Sequence, residues 1–269
     1  MNDRGAAPPV LVDRDAAPGV AVVTLNRPER RNALTRELKE SLRAVLDRVG
    51  ADREVRAVVL TGSGQAFCAG QDLGEHAAAL DADAASALDT VERDYNPIVS
   101  ALAGMPKPVV AAVNGVCVGA GLGFALACDL RLAASTARWR LAFSGIGLVP
   151  DAGSTWHLPR LVGLSRAMEM AMLGDWVDAD QALAFGLVNR VWPAEDLQRE
   201  AEAALSALAA GPTMALARTK ALLRDHLGTD LAGALAGEAE AQVASGQTKD
   251  HLEGVTAFLE KRPPNFQGA

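Results

Sequence analysis

Residues Pro106–Ala133 read PKPVVAAVNGVCVGAGLGFALACDLRLA. The run Lys107–Gly115 has the apolar, β-branched texture of a buried strand. Gly119, Gly121 and Gly123 then punctuate a loop that passes into a helical segment, Gly121–Cys128. The same order precedes it twice. GVAVVTL (Gly19–Leu25) reads as a strand, and NRPERRNAL leads to Thr35, an N-cap for a helix through about Val49 with Leu38, Leu42, Val45, Leu46 and Val49 on one face. RAVVLTG (Arg56–Gly62) reads as the next strand, followed by a Gly-rich loop and an Ala-rich helical stretch to about Ala103. Units recurring at roughly 35 to 50 residues predict an α/β fold built from a diverged repeat, not a strict solenoid.

Leu187–Val191 is the last strand expected. Beyond it the periodicity is helical, over Glu195–Ala209, Pro212–His226, Leu231–Val243 and Thr248–Leu259. The chain therefore divides into a core, 1–195, and a helical C-terminal region, 196–269, whose apolar stripes need the core or another subunit to cover them. The first eight residues, with Pro8-Pro9, read as a mobile lead-in.

With 269 residues, 49% hydrophobic, the chain can bury the core of one sizeable domain. No stretch of about 18 apolar residues suggests a membrane span, and no signal-peptide pattern is present, so a cytoplasmic location is expected. A net charge of -7 argues against a nucleic-acid partner. Cys68, Cys117 and Cys128 form no CxxC pair and sit among apolar residues, as buried thiols do; His76, His157, His226 and His251 share no helix-face spacing, so no metal site is expected.

Two Gly-rich turns follow strands, GSGQAFCAGQDL (Gly62–Leu73) and NGVCVGAGLGFALACD (Asn114–Asp129). Glycine lets a backbone approach a ligand closely, and free N–H groups at a helix start can hold an oxyanion or a phosphate. The phosphate version fails, because Phe124 stands where GxGxxG needs its last glycine and no P-loop Gly-Lys-Ser/Thr exists. A nucleophile elbow is absent, and Ser154 with His157 is too local a pair for a serine hydrolase. Asp151, in IGLVPDAGS (Ile146–Ser154), has two readings: a turn or helix N-cap aspartate, or a carboxylate with chemistry to do.

These loops, together with LNRPERRNAL, FCAGQDL, GLVPDAGSTWHLPRLVG, ALAFGLVNRV and GVTAFLEKRPPNF, resemble the crotonase, or enoyl-CoA hydratase/isomerase, superfamily from about Val20 to the C-terminus. The resemblance implies a spiral of ββα units and trimers, or dimers of trimers, built through the C-terminal helices. Its implied ligand is a thioester of coenzyme A that arrives as part of the substrate, with no cofactor held permanently. It places the thioester oxygen on the backbone N–H groups of Gln71, after Gly70, and of Ala120, after Gly119. Donors of that kind can lower an enolate-forming barrier by roughly 3 to 4 kcal/mol each. It further puts Ala33, Ala66 and Ala69 beside the adenine and pantetheine arm, Arg27 or Arg30 near the phosphates, and Phe258 and Lys261 where a neighbouring subunit's pocket could be reached.

Two departures bear on the reaction. Where family hydratases carry their two catalytic glutamates, this chain has Gly123 and, seven residues before Asp151's neighbour Pro150, Phe143. Hydration uses an acid and a base, whereas moving a double bond needs one carboxylate that takes a proton and returns it. Within the superfamily, VERDYNPIV, GAGLGFALACD and AFSGIGLVPDAGSTWHLPRLVG most resemble the ring-1,2-epoxyphenylacetyl-CoA isomerase branch, in which the aspartate after the proline is the implied acid/base. The expectation is an acyl-CoA isomerase with Asp151 as proton shuttle and Trp156, Phe143 and Leu148 around a dry acyl pocket. Two alternatives stand beside it: a hydratase recruiting Glu75 or Glu92, and a catalytically silent acyl-CoA-binding homologue.

Overall fold

The computed structural model describes residues 7–269. Residues 1–6 of the expected lead-in lie outside the described residues. Pro8 and Pro9 are not loose, since their carbonyls accept hydrogen bonds from the side chain and backbone of Asn26.

The strand pair β1 (Val10–Asp13) and β2 (Val20–Leu25) opens the chain antiparallel. Helix α1 (Arg36–Ala51) begins where its Thr35 cap predicts, the Thr35 hydroxyl accepting the Leu38 N–H at 3.3 Å, and it buries all five residues of the expected apolar face. Three turns of a spiral follow, each leaving one strand in each of two sheets. They contribute β3 (Ala57–Gly62) with β4 (Ala66–Cys68), β5 (Val109–Val113) with β6 (Val116–Val118), and β7 (Leu130–Ala134) with β8 (Arg138–Arg140). The larger sheet runs β1-β2-β3-β5-β7-β9, closed by β9 (Arg190–Trp192), and is parallel from β2 onward; the smaller runs β4-β6-β8, also parallel. Burial on both faces explains why β5 is an unbroken apolar run. The repeat read from the sequence is this spiral.

The Ala-rich stretch to Ala103 is not one helix. It splits into α2 (Leu73–Ala82), a turn, a π-helical turn over Val91–Tyr95, and α3 (Asn96–Gly104). Asp83 accounts for the first break: its carboxylate accepts the Ala85 N–H and the Ser86 hydroxyl, a local bonding pattern that competes with the helix. Helix α4 (Ala120–Ala127) is buried along its whole length. After the smaller sheet come α5 (Ser154–Val162), α6 (Leu164–Leu173) and α7 (Ala179–Ala184).

The C-terminal helices are α8 (Leu197–Ala209), α9 (Thr213–Asp225), α10 (Leu231–Gly246) and α11 (Lys249–Glu260). Of these α8 lies against the larger sheet, burying Leu197, Ala201, Leu205 and Ala209. Helix α9 is clamped to the core by Asp129, whose carboxylate meets Lys220 at 2.9 Å and Arg224 at 3.0 Å. Arg56 holds the chain's end in the same way, donating to the carbonyls of Gly211 and Phe266. Among the described residues no helix is long and apolar enough to cross a membrane.

Candidate active site

The register of the smaller sheet builds the site. Cys68 on β4 faces Cys117 on β6, so Gln71 and Ala120, each three residues further on, leave the same end of two neighbouring parallel strands. The turns need glycine: Gly70 has φ +86°, and a Cβ there would sit 3.0 Å from the Val118 carbonyl oxygen, while Gly119 has φ +56°. On one side of Gln71 the strand-like backbone is spoken for, because the Leu34 N–H donates to the Gly70 carbonyl at 2.8 Å and the Asp72 N–H to the Leu34 carbonyl at 3.2 Å. The N–H of Gln71 therefore points the other way. Ala120 is the first residue of α4, so its N–H has no partner within the helix and sits at the positive end of the helix dipole.

Two asparagines pin these turns. Asn32, fully buried with φ +56°, donates to the carbonyls of Ser63 and Ala66, and Asn114 donates to those of Gly62 and Gly64. Gln71 and Ala120 open onto one cavity of about 640 Å³, mostly apolar, also lined by Arg27, Arg30, Ala33, Ala69, Gly70, Gly119, Phe143, Leu148 and Asp151. Nearly all the residues singled out by sequence meet there.

Among the described residues two carboxylates line the cavity. Asp72 is occupied, capping α2 through the Gly74 and Glu75 N–H groups and pairing with Arg27 at 3.2 Å. Asp151 is not. One of its carboxylate oxygens, Oδ1, is buried without a hydrogen-bond partner, and burial pushes the carboxyl up to about 6. The N-cap reading of Asp151 is overturned, because α5 starts later, at Ser154, with Gly153 as its cap in a left-handed conformation. The Ser154 N–H is taken by the Asp151 backbone carbonyl, not by its side chain. Ala152 between them has φ +48°, a strained geometry for a residue with a Cβ, of the kind that gathers at functional sites.

A model of the enoyl-CoA hydratase/isomerase family matches residues 15–269. The chain belongs to the enoyl-CoA hydratase/isomerase family. Its fold is the crotonase fold: an enoyl-CoA hydratase of Bacillus anthracis, 34% identical, superposes with a TM-score of 0.91 over 97% of this chain and 100% of that one. A Rhodobacter capsulatus protein named "Probable enoyl-CoA hydratase" is 47% identical over 93% of this chain and 95% of its own length. The 1,2-epoxyphenylacetyl-CoA isomerase of Escherichia coli is 42% identical over the same shares. Proteins of this family act on acyl-CoA thioesters, which suits an apolar cavity with Arg27 and Arg30 in its lining.

Measured against that family, the two departures have physical content. A Cβ at Gly123 would lie 2.5 Å from the Ala152 carbonyl oxygen and 2.6 Å from its Cβ, so the loop carrying Asp151 fills the space a glutamate would need. Phe143 presents a ring to the cavity instead of a carboxylate. Glu75 instead accepts the Arg36 N–H, and neither it nor the exposed Glu92 lines the cavity.

Two expectations, for Ala66 and Trp156, need correction. Ala66 does not line the cavity; it is buried in β4, where its carbonyl serves Asn32. Trp156 lies on a different cavity beneath Arg160, 4.1 Å from the guanidinium, because α5 turns its first residues away from Asp151. Phe258 and Lys261 sit at the exposed end of α11, outside the Asp151 cavity of their own chain. Ser154 and His157 make no hydrogen bond to each other, and burial lowers His157 to about 4.

Sequence reading passed over Lys39, Thr90, Asp94 and Tyr95, which form a buried polar cluster behind Gln71. The one available signal was Tyr95, the chain's single tyrosine, inside the VERDYNPIV motif. A lysine on an amphipathic helix otherwise reads as solvent-facing. The three cysteines are buried and unpaired, and among the described residues no group of three or more histidine, cysteine, aspartate or glutamate side chains is placed to hold a metal ion.

Proposed function

We propose that this protein is an acyl-CoA isomerase that works through a thioester enolate, with Asp151 as the proton shuttle. The observation that carries the reading is the lone carboxylate: of the two at the cavity, Asp72 is tied to a helix cap and an arginine, whereas Asp151 keeps Oδ1 buried without a partner and is pushed by burial up to about 6. Its carboxylate removes a proton from the carbon next to the thioester of a β,γ-unsaturated acyl chain. The electron pair moves into the thioester, whose oxygen the Gln71 and Ala120 N–H groups hold, and conjugates with the double bond. The proton, now on Asp151, is returned at the γ-carbon as the electrons flow back, leaving a conjugated α,β-double bond. Nothing is gained or lost overall.

Coenzyme A enters only as part of the substrate, its phosphates towards Arg27 and Arg30 and its arm along Ala33 and Ala69. The 42% identity to the Escherichia coli isomerase supports extending the same one-carboxylate chemistry to the ring epoxide of phenylacetyl-CoA. The bare apolar side chains of α11, Leu252, Val255, Phe258 and Leu259, support assembly into trimers, or dimers of trimers, through the C-terminal helices. The hydratase reading draws on the 47% identical relative's name, but it needs a second acid or base at the cavity.

Incubating a β,γ-unsaturated acyl-CoA with wild type and with Asp151→Asn, followed by ultraviolet spectra and mass spectrometry, tests the reading. Conversion to the conjugated isomer at unchanged mass, lost in the variant, is expected. A product heavier by one water from the wild type would mean a hydratase, and binding without turnover by either protein would mean a silent homologue.

A further inference from the structure

The proton shuttle leaves one buried charge unexplained. Lys39 projects from α1 into the interior at 2% exposure, although a solvent-facing alternative costs a helix nothing. Its ammonium donates to the Thr90 hydroxyl at 2.6 Å and to the Gln71 side-chain carbonyl at 3.3 Å, and lies 3.5 Å from the Asp94 carboxylate. Tyr95 donates its hydroxyl to the same Gln71 oxygen. The π-helical turn over Val91–Tyr95 makes this possible, since its wider winding turns the consecutive residues Asp94 and Tyr95 both inward. Burying a lysine and an aspartate together seldom adds stability over a well-packed apolar pair, so the cluster is explained better by what it positions.

We propose that Lys39 is a positioning residue for the oxyanion site: with Tyr95 it clamps the Gln71 side chain from behind, so that the Gln71 backbone N–H stays aimed into the cavity. Gln71 is held on its strand side only by the short bridge to Leu34, and its neighbour Gly70 is conformationally permissive. Two donors on the side-chain oxygen supply the missing restraint, and the Asp94 carboxylate, also held by Arg93 at 2.9 Å, fixes the lysine in turn. An oxyanion donor works in proportion to its preorganisation, and a misplacement of about 1 Å can cost a hundredfold in rate. The inference rests on Gln71 acting as an oxyanion donor.

The test reads the polarised thioester directly. A coenzyme A thioester of 4-dimethylaminocinnamic acid absorbs further to the red when its carbonyl is hydrogen-bonded in an oxyanion site. The wild-type protein is expected to bind it with a red shift. Lys39→Met, of similar length, should bind it with affinity within about threefold but with a smaller shift, and should lower kcat for the isomerisation by about tenfold to a hundredfold with KM little changed. Gln71→Leu, which keeps the backbone N–H, should do the same, and the double variant should be no worse than either single one. If Lys39→Met lowers only the melting temperature and leaves shift and kcat intact, the inference is overturned; fully additive effects with Gln71→Leu overturn it too. Should Lys39→Met fail to fold, Tyr95→Phe, which removes one hydroxyl, is expected to give a partial loss of the shift, and an unchanged shift would count against the clamp. A wild-type protein that binds the probe with no shift overturns the oxyanion reading itself, a result distinct from a wild-type shift that survives in the variants.

Discussion

Replacing Asp151 with asparagine keeps the side chain's shape and removes its charge, and the consequence for stability has a definite sign. Burial moves the Asp151 carboxyl from 3.8 to about 6. At ~1.36 kcal/mol per pH unit the ionised form therefore costs the native state about 3 kcal/mol at neutral pH, where the carboxylate is charged in both folded and unfolded chains. Between these two values the native state still holds the proton and the unfolded chain has released it, so this group's contribution to stability falls as pH rises through that window. Asparagine does not titrate. Measured by urea unfolding, the stability of Asp151→Asn relative to wild type should rise in the variant's favour by about 2 to 3 kcal/mol between pH 4 and pH 7.5, while isomerase activity is lost. Any constant cost of fitting an amide with unpaired N–H groups cancels in that difference. A difference that is flat with pH, or that moves the other way, would refute the claim that Asp151 is held near neutrality by burial. An inactive variant whose stability relative to wild type improves as pH rises is the expected trade at a site that keeps an uncompensated charge for its chemistry.

Two further outcomes follow from the same geometry. The kcat/KM of the wild type for a β,γ-unsaturated acyl-CoA should rise with pH through about 6 and then level off, as the Asp151 base loses its proton; a rate that falls across that range would exclude Asp151 as the base. Gly123→Glu, which restores a residue of family hydratases, should lower stability by about 3 kcal/mol in urea unfolding, because its Cβ meets the Ala152 backbone oxygen at 2.5 Å, and should bring no hydration of a conjugated acyl-CoA.

Much of the architecture is written locally. The apolar stripe of α1, its Thr35 cap and the buried run of β5 follow from side-chain periodicity and short-range hydrogen bonds, so they can be read without knowing what lies across the core. The Gly-rich turns are legible for a related reason: only glycine takes the backbone geometry at Gly70 and Gly119 without strain, and the residues that follow them, Gln71 and Ala120, line the cavity. What each carboxylate and cation does in three dimensions is a different matter, because it depends on partners far away in sequence. Asp151 reads from its neighbours alone as either a turn or cap residue or a working carboxylate, until the helix is seen to start at Ser154, leaving its Oδ1 buried and unpaired. Gly123 reads as a missing glutamate until the Ala152 loop is seen to occupy the space. Lys39 reads as a surface lysine until α1 is laid beside the π-helical turn that carries Asp94 and Tyr95, 55 and 56 positions further along the chain. The sequence alone determined the spiral and the Gly-rich turns and singled out Asp151 as a candidate; only the tertiary structure decided that Glu75 and Glu92 stand off the cavity, that Asp151 is desolvated and that a buried lysine stands behind Gln71, because desolvation and ion pairing are set by packing between segments and leave no periodic mark on either one.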